Sequence, residues 1–341
     1  MQGSEFLGKH LEQAERRREL LAIEANLKDH PFPPQLVVEN TSYCNMKCIH
    51  CAHRTMIRPQ QHMERGLWNR IVEEVGRESP GCELWPTFYG EALILRDELW
   101  DRLDHAGRAG CRNLVLNSNG TLLGRFENIE KVLHSPLKRF ILSLDGFTRE
   151  TFEAIRVNGK RDPIFAAVEQ LCRKRLERGQ QYPVVIAQFS VMKENADELP
   201  QFIAHWRSLG AEVKVRPMLE WGATGTVHTD TIVHGADFRI ACPWANNTSA
   251  ILADGSMVAC AVDYEGRFTA GNVGQSSIRE LWAVLRERLR RPHREHRWAD
   301  LPVLCQGCGD WQVAGAQYEE QEQAPDTRPF WYYDQKQDRA G

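Results

Sequence analysis

Three cysteines close together on one loop constrain this chain more than any other feature. They follow the pattern Cys-x3-Cys-x2-Cys and are Cys44, Cys48 and Cys51. Three thiolates on one short loop suit three irons of a 4Fe-4S cube, because soft sulfur ligands favour iron-sulfur chemistry. The fourth iron then has no protein ligand and is open to a small molecule that binds through an amine and a carboxylate. The loop therefore predicts a reducible cluster with one open iron.

Two other structures can be built from such cysteines. A structural zinc ion takes four nitrogen or sulfur ligands, and His50 or His53 could complete that set. A disulfide framework is less favoured, because we expect no apolar secretory segment and the ten cysteines are unevenly spaced over 341 residues. The pattern favours the iron-sulfur cluster and leaves zinc as its alternative.

The composition argues against several classes of partner. The chain is 42% hydrophobic and 26% charged, which is typical of a soluble protein with one large core and a smaller second unit. A net charge of -3 gives no basic field for nucleic acid. No stretch approaches the roughly 18 apolar residues that a membrane span needs. We therefore expect a cytoplasmic protein that binds neither nucleic acid nor a membrane.

Segments that favour strands alternate with segments that favour helices along most of the chain. An amphipathic helix is expected from residue 7 to about residue 28, packed on the exterior of a barrel, and the first strand, 35–40, leads into the cysteine loop. The other strand candidates are 83–89, 113–117, 139–144, 183–191 and 212–216. This alternation implies a parallel sheet, with active residues at the C-terminal ends of the strands.

The cysteine spacing and the six strand-helix units together resemble the radical S-adenosylmethionine (SAM) enzymes. The resemblance implies an α/β fold, a partial (β/α)6 TIM-like barrel with a small C-terminal auxiliary-cluster domain. It also implies that the cysteine loop holds a 4Fe-4S cluster, that SAM binds at the open iron, and that SAM is cleaved to a 5'-deoxyadenosyl radical. A flavodoxin or ferredoxin type of electron donor is expected as a partner.

The sequence Phe-Tyr-Gly-Glu that ends the second predicted strand resembles the Gly-Gly-Glu motif of that family. Tyr89 stands in place of the first glycine, while Gly90 and Glu91 match the rest of the motif. The resemblance implies that Gly90 and Glu91 hold the methionine amine of SAM.

Polar residues also follow the later strands, at positions similar to segments that line the cofactor site in the family. The segment with Asn119 ends the third strand, and the segment with Ser143 and Asp145 ends the fourth. Short polar side chains can bind ribose hydroxyls or a carboxylate without filling a pocket, although Asn-Gly and Asp-Gly are also common turn formers. Arg156 is expected either to pair the SAM carboxylate or to be a solvated helix charge. Arg216, near the end of the sixth strand, is a candidate for binding a polar substrate, because an arginine buried without a partner is costly.

A loop-like segment, 218–241, is expected to cross the open side of the barrel. Its polar side chains around one tryptophan indicate a polar or charged ligand, although a solvated linker explains them nearly as well. These side chains are Glu220, Trp221, His228, Asp230 and His234.

A second cysteine group, Cys242, Cys260, Cys305 and Cys308, follows this segment and includes a Cys-x2-Cys pair. Cys260 ends an expected hairpin that turns at Asp254-Gly255, and a helix is expected from about 277 to 290. Hairpin, helix and cysteines resemble the SPASM extension of the radical SAM family in its shortened twitch form. The resemblance implies a second, auxiliary 4Fe-4S cluster on the four cysteines. A zinc ribbon is the alternative, because such cysteines also bind zinc.

Five parts of the chain are expected. They are an N-terminal helix and linker (1–34), the radical SAM partial barrel (35–217), a linker over the barrel mouth (218–241), the auxiliary twitch/SPASM domain (242–311) and a polar C-terminal tail (312–341), whose aromatic residues 330–333 dock on the protein.

The resemblance favours a dehydrogenase that oxidises an alcohol carbon of a small polar substrate, an aminocyclitol or sugar of antibiotic biosynthesis. A ribosomal peptide is less favoured, because a larger recognition domain precedes the cluster loop in peptide maturases. A cluster ligated by four cysteines has no open iron and suits an electron acceptor.

An epimerase acting on the same substrate class is the alternative, and it needs a hydrogen donor such as a thiol. The remaining cysteines are expected away from the substrate, Cys82 and Cys111 below the strands and Cys172 packed in a helix. The non-enzymatic alternative is a binding protein folded by two zinc ions.

Overall fold

Six parallel strands form the central part of the molecule. The computed structural model describes residues 13–222, 238–313 and 317–318. From β1 to β6 each strand pairs in parallel with the next along the chain, which confirms the predicted α/β partial barrel. Their bounds are β1 Gln35–Val38, β2 Glu83–Trp85, β3 Asn113–Ser118, β4 Leu137–Ser143, β5 Val184–Val191 and β6 Glu212–Pro217.

Helices connect these strands and cover the outer face of the sheet. Alternate strand residues such as Leu114 and Leu116 belong to the main core, together with helical residues such as Trp68 and Phe165. The residues between them, Val115 of β3 and its neighbours on β4 and β5, form a separate apolar cluster inside the barrel. The connecting helices are Arg65–Glu78, Asp97–Arg108, Asn128–His134, Arg149–Ile155, Arg161–Glu177 and Leu199–Ser208.

The second strand is shorter than its pattern predicts. Apolar residues continue to Tyr89, but β2 ends at Trp85, because Pro86 follows and a proline has no N–H to donate to a neighbouring strand. The Phe-Tyr-Gly-Glu segment therefore lies in a loop after the strand instead of at its end. The other five predicted strands agree with the structure to within two residues at each end.

A hairpin and a third strand extend the same sheet. The predicted hairpin is confirmed as β7 Thr248–Ile251 and β8 Ser256–Val258, and its turn places Gly255 at a φ of 89°. A third strand, β9 Thr269–Asn272, pairs with β8. The pairing of β7 with β1, parallel over four residue pairs, was not expected and makes the hairpin a continuation of the barrel sheet.

The N-terminal helix packs on a different surface from the one expected. It is described over Gln13–Ala25, and Leu20 contacts Ile240 and Trp311. Glu24 accepts hydrogen bonds from the Ala241 N–H and from the His296 ring. The expected packing on the barrel exterior is therefore wrong, since these contacts tie the helix to the C-terminal part of the chain.

The helix predicted near residues 277–290 is present as Ile278–Leu285. Ser277 caps it, with Glu280 bonding back in a capping box, and one π turn, Arg286–Arg290, leads into Arg291–Arg294. Two short helices, Pro243–Asn247 and Val303–Gln306, complete this part. A two-residue strand, β10 Gln317–Tyr318, pairs antiparallel with β6.

Some predicted features lie outside the described residues. They are His228, Asp230 and His234 of the linker and the aromatic residues 330–333 of the tail. Among the helices that the structure does describe, none has the length and apolar character needed to cross a bilayer.

Candidate active site

A cavity of about 260 Å³ occupies the interior of the barrel. The cysteine loop and all six barrel strands contribute to its wall. The strand residues that line it include Val37, Trp85, Asn117, Ser143, Gln188, Lys214 and Arg216.

The three loop cysteines lie at the wall of this cavity. Backbone hydrogen bonds from Lys47 to Val157 and from Ile49 to Ile155, 2.9 and 3.0 Å long, hold the loop against the segment after β4. Burial raises the pKa of Cys44 to about 12 and that of Cys51 to about 11, and nearby thiols add to the rise of both. A bound metal reverses this effect, because a coordinating thiol is deprotonated. The three thiols therefore fit the cluster that the sequence predicts.

Gly90 lies where the loop after β2 meets the cysteine loop. A Cβ on Gly90 would stand 2.0 Å from the carbonyl oxygen of Thr41 and 2.9 Å from that of Tyr43. The next residue donates its N–H to the Tyr43 carbonyl at 2.9 Å. Only glycine allows this approach of two backbones.

The carboxylate of Glu91 is buried and accepts three hydrogen bonds. They come from the Leu93 N–H at 3.1 Å, the Ser118 hydroxyl at 2.9 Å and the Asn119 N–H at 2.7 Å. Burial raises the pKa of Glu91, and these donors oppose that rise. The side chain thus joins the loop after β2 to the end of β3 at the cavity wall. Its binding of the methionine amine stays a prediction.

Asn119 connects the end of β3 to the cysteine loop. Its Nδ2 donates to Asn45 Oδ1 at 2.8 Å and lies 4.0 Å from the Cys44 sulfur. Its Oδ1 accepts from both the N–H and the hydroxyl of Thr121. The predicted cofactor-site residue therefore stands directly beside the first cysteine.

Asp145 and Arg156 form a buried ion pair under the cysteine loop. Asp145 also accepts from the Ser190 N–H at 2.7 Å and lies 3.3 Å from His50 Nε2. Burial alone would raise the pKa of Asp145, but Arg156 and then His50 hold it well below its usual range.

Arg156 is only 6% exposed, and its NH1 donates to the Cys48 sulfur at 3.4 Å. The alternative of a solvated helix charge is therefore wrong. Its pairing with the SAM carboxylate stays a prediction, and in this structure its acidic partner is Asp145.

Ser143 and the two strand residues beside it form a chain of hydrogen bonds across the cavity wall. The Ser143 hydroxyl donates to Asn117 Oδ1 at 3.0 Å, and Gln188 Nε2 donates to Ser143 at 3.2 Å. Arg216 lines the same cavity from β6, as its position near the strand end predicted.

A contact among three aromatic residues, which sequence reasoning missed, lies between the two cysteine groups. The ring of Tyr89 is 5.3 Å from that of Trp221 and 5.2 Å from that of Tyr264. Trp221 also donates its indole N–H to the His50 carbonyl at 2.9 Å. The available signals were Tyr89 in place of a motif glycine and the single tryptophan of the linker, but neither indicated this contact.

The four C-terminal cysteines line one small pocket of about 20 Å³. Burial raises the pKa of Cys242 to about 11 and that of Cys305 to about 12. Asp310 closes the site by accepting from the Glu220 and Gly222 N–H groups at 2.6 and 2.8 Å. The pocket brings together the predicted auxiliary-cluster ligands and ties them to the start of the linker.

Zinc, the alternative at both sites, needs a tighter grouping of ligands. A zinc ion holds each sulfur at about 2.3 Å. In the part of the chain that the structure describes, no three Cys, His, Asp or Glu side chains are grouped to hold a metal ion. A four-iron cluster distributes its cysteines over separate irons, whereas a zinc ion gathers all its ligands around one atom.

Two family models match the chain. The radical SAM superfamily model matches residues 38–204, and an iron-sulfur cluster-binding domain, SPASM, matches residues 242–309. Among curated proteins, the mycofactocin maturase MftC of Mycolicibacterium smegmatis is 25% identical over 198 residues, which are 58% of this chain and 48% of MftC. The chain thus spans about half the length of that relative.

Solved structures with the same fold include two with bound ligands. BtrN, crystallised with AdoMet and 2-DOIA, gives a TM-score of 0.57 at 16% identity, covering 82% of this chain and 94% of BtrN. SuiB of Streptococcus suis, crystallised with its precursor peptide SuiA, gives a TM-score of 0.63 at 12% identity, covering 88% of this chain and 74% of SuiB. These similarities concern the fold.

Proposed function

The chain belongs to the radical SAM superfamily and carries a SPASM domain, and from this premise we propose that it oxidises an alcohol carbon of a small polar metabolite. Its cofactors are SAM and two 4Fe-4S clusters, one that binds SAM and one auxiliary cluster. The proposed substrate class is an aminocyclitol or sugar intermediate of natural-product biosynthesis. When bound, the cofactors supply a 5'-deoxyadenosyl radical that removes one hydrogen atom and an acceptor for one electron; loss of the hydroxyl proton then completes the ketone.

One observation carries this proposal: the C-terminal pocket contains four cysteines, enough to ligate every iron of a cube. A site of that kind leaves no iron open for a substrate, so it suits an electron acceptor. Trp221 lines the barrel cavity and contacts Tyr89, which in turn contacts Tyr264. These contacts connect the cavity wall to the loop after β8.

The chain's other residues position the reactants. Glu91 and Asn119 hold the loops that flank the cysteine loop, and the Asp145–Arg156 pair supports it from below. Ser143, Asn117 and Gln188 present hydroxyl and amide groups to the cavity, where they can bind substrate hydroxyls.

Comparing the masses of substrate and product tests this proposal. Reconstituted protein is incubated with SAM, a reductant and a metabolite extract, and the triple variant Cys44→Ala, Cys48→Ala, Cys51→Ala serves as the control. We expect a product two hydrogens lighter than its substrate, with about one deoxyadenosine per product. A product of unchanged mass that takes up one solvent deuterium at carbon would identify an epimerase instead.

Peptide modification is a second candidate, favoured by the similarity to proteins named as a maturase and as a precursor-peptide complex. It predicts that a precursor peptide binds the pure protein and gains a new covalent bond in the presence of SAM. Absence of peptide binding, together with an oxidised small molecule, would leave the dehydrogenase as the function.

A further inference from the structure

Strand β6 directs two basic side chains into the barrel cavity. Lys214 and Arg216 are two residues apart, so they lie on the same face of the strand, and both line the cavity. Neither has a part in the mechanism derived above. At about 3.3 Å per residue, Lys214 lies roughly 7 Å deeper in the barrel than Arg216.

Arg216 has one hydrogen bond in the described structure, from its Nε to the Ser190 hydroxyl at 3.0 Å. That acceptor is neutral. The nearby carboxylate of Asp145 is already paired with Arg156 and contacts His50. The terminal nitrogens of the Arg216 guanidinium therefore remain available to a molecule in the cavity.

Lys214 is 9% exposed, and its ammonium lies 5.2 Å from the ring centroid of Trp85. Glu83 is the acidic residue that acts on it electrostatically. That carboxylate also accepts from Arg139, from Gln35 at 2.5 Å and from Trp85 at 2.6 Å. Burial, and then repulsion from Arg216, lowers the pKa of Lys214 to about 7. Burial therefore disfavours the positive charge of Lys214, and an anion bound in the cavity would favour it.

A third polar group lies at the same cavity. The hydroxyl of Tyr89 is buried and has no hydrogen-bond partner among the residues described, and Tyr89 lines the cavity wall. A buried hydroxyl without a partner is destabilising, and a bound molecule with a polar group would supply that partner.

We propose that Lys214 and Arg216 bind an anionic group of the substrate, a carboxylate or a phosphate, inside the barrel. Arg216 offers two parallel N–H donors to such a group, and Lys214 adds a point charge from below. The inference rests on the proposed function, since it takes the molecule in the cavity to be the substrate. It selects acidic or phosphorylated polyols over aminocyclitols that carry only positive charge.

Anion binding to the reconstituted protein with SAM bound tests this proposal without turnover. Inorganic phosphate and acetate are titrated by calorimetry at ionic strength held constant with NaCl. We expect Lys214→Met and Arg216→Gln each to weaken binding at least about tenfold, and Lys214→Arg to retain it. Lys160→Met is the matched control, because Lys160 is exposed and pairs with Glu153 outside the cavity. Tighter binding of phosphate indicates a phosphate ester, and tighter binding of acetate indicates a carboxylate.

Two results would overturn the proposal. One is equal anion binding by wild type, Lys214→Met and Arg216→Gln. The other is loss of SAM binding in these variants with anion binding unchanged, which would assign the two cations to the cofactor. The proposed oxidation is judged separately by product mass, so it can fail while the anion site stands.

Discussion

At the scale of single residues, Gly90 shows how closely the loop after β2 approaches the cysteine loop. We expect Gly90→Ala to displace the cysteine loop, because the added Cβ would stand 2.0 Å from the Thr41 carbonyl oxygen. About four irons should be lost and about four kept at the auxiliary site, with deoxyadenosine formation abolished. Iron analysis and deoxyadenosine assays measure both effects.

Gly81→Ala is the control for that variant, because a Cβ at Gly81 meets no atom within 4 Å. It should keep both clusters and full cofactor cleavage. An iron content of about eight in Gly90→Ala would show that the loop absorbs the methyl group.

The Glu91 carboxylate accepts hydrogen bonds from three donors. Glu91→Gln places an NH2 group against at least one of these donors, so we expect a loss of about 1–3 kcal/mol in the free energy of unfolding and weaker SAM binding. Thermal unfolding and calorimetry with SAM measure the two changes. Glu130→Gln is the control, because Glu130 forms a partly exposed ion pair with Lys174 and Arg178, and it should leave SAM binding unchanged. An equal loss of SAM binding in both variants would contradict the placement of Glu91 at the cofactor site.

Lys214 should make stability depend on pH in one particular window. Burial and Arg216 lower its pKa from 10.5 to about 7 in the folded protein, while Glu83 opposes and Arg139 adds to this shift. Between these two values the unfolded chain binds a proton that the folded protein does not, so stability rises with pH. The Tm of wild type relative to Lys214→Met should therefore increase from pH 7 to pH 10.5. A constant difference would show that Lys214 keeps its ordinary pKa.

The residues that sequence reasoning missed share one physical cause. In β6, polar Glu212, Lys214 and Arg216 alternate with apolar residues, a pattern typical of a strand with one solvated face. Here the polar face lines a cavity inside the partial barrel, and only the arrangement of all six strands around that cavity reveals it. The partner of Arg156 was equally hidden, because Asp145 reaches it through the fold and not through a motif.

At the scale of elements, strands were predictable because the alternation of apolar and polar residues and the turn residues are local features of the sequence. Pairings between distant parts of the chain were not predictable. The Asp254-Gly255 turn fixed the hairpin of β7 and β8. The contact of β7 with β1 joins residues more than two hundred positions apart, and no local pattern encodes it. The packing of the helix at Gln13–Ala25 was mispredicted for the same reason, since its partners lie near the other end of the chain.

Trp221, at the start of the linker, lies between the two cysteine groups and contacts both Tyr89 and the His50 carbonyl. We expect Trp221→Ala to lower product yield per deoxyadenosine severalfold, because it removes both the ring beside Tyr89 and the bond to His50. Trp221→Phe keeps a ring there and should stay close to wild type in yield. Product and deoxyadenosine are both measured in one chromatographic assay. Equal yields for wild type and Trp221→Ala would show that this contact has no part in the coupling.

At the scale of the whole molecule, the two cysteine groups should have separable functions. Cys305→Ala removes one of the four predicted auxiliary ligands and should leave about four irons, some deoxyadenosine formation and far less product. Iron content, deoxyadenosine and product are measured on the same preparation. Equal loss of deoxyadenosine and product would mean that the second site only supports the fold.

The pairing of β1 with β7 also bears on how the protein avoids aggregation. β1 has β2 on one side, and on the other side its backbone N–H and C=O groups are covered by a strand from the C-terminal part of the chain. An uncovered strand of that kind, here Gln-Leu-Val-Val, is a template for association with other chains. A molecule whose C-terminal part does not fold would thus present an uncovered strand edge beside the cysteine loop. We therefore expect iron supply to affect the aggregation of this protein as well as its activity.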